Sequence, residues 1–150
     1  MLKFLKKKEE KHMALTNFGS ILKFAEEMEI HDNEFYKTQA LDSKYSQYKE
    51  IFEDCAKVCE KNKKLILRIR RENITEMILE PVNGLNSSEF ELKLKTGDNV
   101  VIENALKIEN RAKNYYLKAA EKIKAQLEVS RGLKQAAKKR SKSIKKLMAA

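Results

Sequence analysis

Glu29 and Glu109 lie 80 residues apart, and each precedes a tyrosine, Tyr36 or Tyr116, by seven positions. The flanking segments LKFAEEMEIHDNEFYKTQA and NALKIENRAKNYYLKAA also align Ala25 with Ala105 and Ala40 with Ala120, which makes an internal repeat. On a helix both glutamates fall on the stripe of their apolar neighbours, Met28 and Phe35 for one, Ala105, Leu106 and Ala112 for the other. A carboxylate carried into a packed interior is costly unless a positive group meets it. Two such carboxylates are the makings of a metal site or of a buried ion-pair cluster. The plain alternative is a bundle twisted enough to let both reach water.

The elements that must position them are helical. One proline, four glycines and no tryptophan in 150 residues argue against a sandwich, a barrel or a glycine-cradled nucleotide site. With 42% apolar residues the chain can fill one core, and its 36% charged residues suit long helices with wet outer faces. Phe18, Ile21, Leu22, Ala25, Met28, Phe35 and Tyr36 predict a first helix over 17–40, with Thr16 or Asn17 as its cap. Asp42 or Ser43 caps a second over 44–79, whose stripe holds Tyr48, Ile51, Phe52, Cys55, Ala56, Cys59 and Ile66, and which Pro81 stops.

Residues 80–100 combine turn formers with alternation at Phe90, Leu92 and Leu94, which reads as a crossover containing one or two short strands. A third helix follows over 101–127; Ser130 and Gly132 mark a tight connection, and a fourth runs over 133–148 on Leu133, Ala136, Ala137, Ile144 and Leu147. Short first and third connections with a long middle one predict an all-α antiparallel four-helix bundle, one domain over 15–150 behind a flexible basic extension over 1–14.

At the alanine, glutamate, Phe-Tyr or Tyr-Tyr, alanine pattern of helices one and three, the chain resembles the ferritin-like superfamily, and its rubrerythrin branch most closely. That resemblance implies that Glu29 and Glu109 are iron ligands, and that helices two and four each add a Glu-x-x-His pair to a di-iron centre. The chain departs from the pattern there. Cys59 and Asn62 stand where the second helix should supply glutamate and histidine, and Arg140 and Ser143 stand at the corresponding places of the fourth. No Glu-x-x-His occurs in the sequence, whose histidines are His12 and His31.

Arg140 is permanently ionised and able to bond bidentately, so it could bridge Glu29 and Glu109 across the bundle. The expectation is an ion-pair cluster of Glu29, Glu109 and Arg140 where the family has metal, in a non-catalytic protein of structural or interaction role with no cofactor. The alternative is a rubrerythrin-like oxidoreductase in which Glu29, Glu109 and Cys59 hold iron or another transition metal.

Cys55 and Cys59, one helical turn apart, read as small core residues; their functional alternative is a soft-metal or redox pair. Their number and spacing suit a reducing cytoplasm rather than a secreted scaffold. Tyr36 and Tyr116 read as core residues with nearby hydroxyl partners, and His31, beside Asp32 and Glu34, as a solvated surface histidine. Apolar runs such as 65–67 and 77–79 are far too short to cross a bilayer. Residues 1–13 lack a secretion pattern and read as a frayed extension, or in part as a leader added ahead of Met13.

Net charge is +10, and it is concentrated late in the chain. Residues 131–146 hold Arg131, Lys134, Lys138, Lys139, Arg140, Lys142, Lys145 and Lys146 with no acid among them. All but Arg140 form a polyanion-binding candidate. A solvated face, an acidic protein partner and nucleic acid are the readings it allows, and an anionic membrane surface met with Leu2, Phe4 and Leu5 is a further one. The family resemblance adds a homodimer.

Overall fold

The computed structural model describes residues 14–73, 81–97 and 99–150, and is all-helical with no strand among them. Four long helices carry it: α1 (Phe18–Leu41), α2 (Lys49–Glu72), α3 (Val101–Lys122) and α4 (Leu127–Met148). Asn17 caps α1, its side chain accepting from the Ser20 amide while the Ser20 hydroxyl reaches back to the Asn17 amide. A 3-10 segment, Ser43–Tyr48, entered through the Asp42 side chain, leads into α2, so the second α-helix starts later than its stripe suggests. Residues 1–13 and 74–80 lie outside the described residues, and with them the basic extension and the end expected for the second helix.

α1 packs along α2, α3 along α4, and α2 also along α4. Within each pair the contacts run in opposite senses. Asn62 meets Glu29 while Phe52 meets Tyr36, and Ser130 meets Ala120 while Arg140 meets Glu109.

The turn expected at Ser130 and Gly132 is absent: residues 123–126 make the connection and both residues lie inside α4. Gly132 has a packing task instead. A Cβ there would come within 2.1 Å of Ile69 Cδ1, so its bare backbone is what lets α4 lie against α2. Ser130 Oγ donates to the Ala120 carbonyl at 3.0 Å and ties the start of α4 to the end of α3.

The strands expected in the crossover are absent as well among its described residues. Phe90 closes a 3-10 turn, Ser87–Phe90, and is buried against Phe24 and Tyr115, whereas Leu94 is exposed. Alternation makes a strand only where another strand completes its hydrogen bonds. Here the backbone of Lys95 is bonded in both directions by the Asn104 side chain, at 2.9 and 2.8 Å, and 14–16 pair with 82–86 through an isolated bridge and two amide bonds.

The apolar interior falls into two clusters. One gathers Phe18, Ile21, Leu22, Ile66, Tyr115 and Leu133; the other gathers Tyr36, Phe52, Cys55, Ala105, Ile108 and Leu147. On every helix the residues that separate the clusters are polar and buried: Glu29, Asp32 and Asn33 on α1, Asn62 on α2, Glu109 on α3, Arg140 and Ser143 on α4. The core is an apolar, polar, apolar sandwich along the helix axes.

Candidate functional site

Among the described residues Arg140 is the largest fully buried side chain, with 0% exposure. It follows Ala136 and Ala137 on the inward stripe of α4, which leaves its guanidinium only the interior to occupy. Nη2 donates to Glu29 Oε1 at 2.6 Å and to Asp32 Oδ2 at 2.7 Å, Nη1 donates to Glu109 Oε2 at 2.5 Å, and Nε approaches Glu29 Oε2 at 3.4 Å. Burial alone would favour loss of the guanidinium proton, but the acids around it, Glu109 and Glu29 foremost, hold the charge more firmly than usual.

The tyrosines of the repeat are exchanged between its halves. Tyr36 of α1 donates to Glu109 Oε2 of α3 at 2.6 Å, and Tyr116 of α3 donates to Glu29 Oε2 of α1. Burial first, and then the facing glutamate, push both phenols well above their ordinary range, so both stay donors. Asn62 of α2 adds a bond to Glu29 Oε2 at 3.1 Å and one to the Ala136 carbonyl at 3.4 Å. Glu29 and Glu109 are both buried, so neither reaches water.

Two members escaped the sequence reading. Asp32, named there only as a neighbour of the surface histidine His31, is buried and bonds Arg140, while His31 and Glu34 are exposed. Three residues beyond Glu29, it lies only about 60° round the helix, and that spacing is the signal that could have found it. Arg111, partly buried on α3, donates through Nη2 to the other oxygen of Asp32 at 2.5 Å. Its proximity depends on how α1 and α3 approach each other, so local spacing gives no sign of it.

The cluster thus holds three carboxyl groups and two guanidinium groups. One acid is in excess. Of the three acids Glu109 is the one with an unpartnered oxygen, Oε1, and burial raises its pKa even though Arg140 and the Tyr36 hydroxyl pull it down. A proton held on Glu109 brings the cluster to neutrality, which a low-dielectric interior favours strongly.

Cys59 lies beside Arg140 and Cys55 beside Ser143 and Glu109, both as free, buried thiols. Burial pushes Cys55 up to about 12 and Cys59 well above its ordinary value, which makes both poor thiolate donors to a soft metal. Among the described residues no three of the His, Cys, Asp and Glu side chains are grouped to hold a metal ion. The donor set does not fit the di-iron centre that the resemblance implies: a fixed cation takes up oxygens of Glu29, Asp32 and Glu109, and among the described residues no imidazole faces them.

The basic residues of α4 lie elsewhere. Arg131, Lys134, Lys138, Lys142, Lys145 and Lys146 are exposed and Lys139 is half-buried, on the side of the helix opposite Arg140. Among the described residues no helix is long and apolar enough to cross a membrane. Compared with family models, curated proteins and solved structures, the chain gives no match, so residues and geometry carry the functional reading alone.

Proposed function

We propose that this chain is a ferritin-like, rubrerythrin-related antiparallel bundle that has exchanged its di-iron centre for a structural ion-pair cluster, and that it acts as a non-catalytic structural or interaction protein without a cofactor. The observation that carries the reading is the Arg140 guanidinium seated between Glu29 and Glu109, with Asp32 as a third acid. Cys59, Asn62, Arg140 and Ser143, the four positions where the family would carry its Glu-x-x-His pairs, are all buried at the level of these acids, which supports the register of the resemblance.

Elemental analysis of protein purified without chelator and then offered ferrous iron tests the loss of metal; a content above about one iron per chain favours the oxidoreductase reading instead. The register has its own test. Cys59→Glu, Asn62→His, Arg140→Glu and Ser143→His, made together, restore the family's ligands, and the variant should bind about two irons per chain. A variant that folds by circular dichroism yet takes up no iron counts against the ferritin-like register.

A further inference from the structure

The surface of α4 has a counterpart that its sequence alone does not show. On α2, Lys57, Lys61, Lys64, Arg68 and Arg71 are all exposed, at steps of three and four residues, so they form one stripe. Arg131, Lys134, Lys138, Lys142 and Lys145 make the same pattern on α4, and α2 lies directly against α4 through Ile69 on Gly132 and Asn62 on Ala136. The rows meet at a groove that Arg68 and Arg131 both line, together with Asn73 and Gln135, and that Glu72 and Glu128 also border.

None of these ten cations pairs with an acid among the described residues. Elsewhere Lys37, Lys49, Lys95, Lys118 and Lys124 each face an acid, and at the edge of the two rows Lys146 faces Asp54 at 3.5 Å. Ten like charges left unneutralised on two touching helices repel one another, and an external polyanion relieves that repulsion.

We propose that the α2–α4 face binds the phosphodiester backbone of duplex nucleic acid without reading its sequence. Each row runs about 20 Å along its helix, and packed helices stand about 8–10 Å apart. A duplex offers one phosphate charge per about 1.7 Å of its axis, so a 20 Å length carries about a dozen. A protein partner fits less well, because the rows contain no aromatic residue and Leu67, 36% exposed at the edge of the α2 row, is little to seed an interface with; the exposed Leu127 and Met148 sit at the two ends of α4. A membrane fits less well too, since the apolar stripes of both helices are turned into the core. The inference stands apart from the core: a chain that held iron would present the same rows.

Fluorescence anisotropy of a mixed-sequence 20-base-pair DNA duplex, titrated with the full chain over a range of salt, tests it. Binding should weaken steeply, with log K falling by about 0.9 per neutralised phosphate for each unit of log salt. Arg68→Glu, Lys138→Glu and Lys142→Glu together should lower affinity at least about 30-fold at low salt. Lys23→Glu, Lys93→Glu and Lys124→Glu, an equal change of net charge on other faces, should stay within about 3-fold of the parent. All six side chains are exposed, so both variants keep the fold, and circular dichroism checks this. No binding at low salt, equal weakening by the two variants, or tighter binding to poly-glutamate or to phosphatidylserine vesicles than to duplex overturns the proposal.

Discussion

The two halves of the internal repeat start from the same residues and end in different environments. Glu29 accepts from Tyr116 and Asn62 and from Arg140 through both Nε and Nη2, so both of its oxygens are served. Glu109 accepts from Tyr36 and Arg140 on Oε2 alone, and its Oε1 is buried without a partner. The tyrosine exchange is symmetric, but Asn62, Asp32 and Arg140 have no equivalents across the repeat. A duplicated scaffold therefore carries an unequal pair: one glutamate serves wholly as an acceptor, and the other has an oxygen free to hold a proton.

Removing the shared cation should have the largest effect, since it acts on both halves at once. Arg140→Ala leaves Glu29 and Glu109 buried and leaves Asp32 with Arg111 alone; breaking a buried cluster in this way costs about 3–5 kcal/mol. Urea denaturation followed by circular dichroism measures it. Arg140→Met, Glu29→Leu, Glu109→Leu, Tyr36→Phe and Tyr116→Phe made together should fall within about 2 kcal/mol of the parent, because Asp32 keeps its partner, no phenol is left without an acceptor and apolar groups refill the layer. A silent Arg140→Ala would mean that the guanidinium is not what compensates the acids.

A sharper comparison changes one half at a time. In Glu29→Gln the new amide nitrogen must face side chains that already donate, whichever way it turns, and the expected cost is about 2 kcal/mol. In Glu109→Gln the amide oxygen can take the bonds from Tyr36 and Arg140 while the nitrogen occupies the place of Oε1, so the cost stays under about 1 kcal/mol. Equal losses would erase the distinction between the halves.

Much of this asymmetry lies beyond the reach of sequence. Four long helices were legible because their apolar residues recur at helical spacing; Glu29 and Glu109 drew attention because each interrupts such a stripe, and Arg140 because it stands where the resemblance expects a glutamate. Asp32 was hidden by its exposed neighbours His31 and Glu34, although its distance from Glu29 puts it on the same face. Arg111 was not legible, since only the approach of α1 to α3 brings it to Asp32. Gly132 and the alternation at Phe90, Leu92 and Leu94 misled for a shared reason. A glycine can serve a turn or a close helix crossing, and an alternating run can be a strand or an irregular cover; in each case the neighbour across the fold decides.

The smallest effect should appear in the dependence of stability on pH. In the unfolded chain Glu109 ionises near its ordinary 4.5, whereas burial raises its pKa in the folded protein. Between those two values the folded state keeps a proton that the unfolded state has released, so this group's contribution to stability is intact below 4.5 and falls as pH rises through the folded pKa. Glu109→Gln cannot ionise and should remove that decline, while Glu29→Gln should leave it in place. Subtracting the urea midpoints of Glu109→Gln from those of the parent, from about pH 4 to 9, isolates the group, because every other titrating residue is common to both. A difference curve that is flat, or that rises with pH, would mean that the fold holds no extra proton on Glu109.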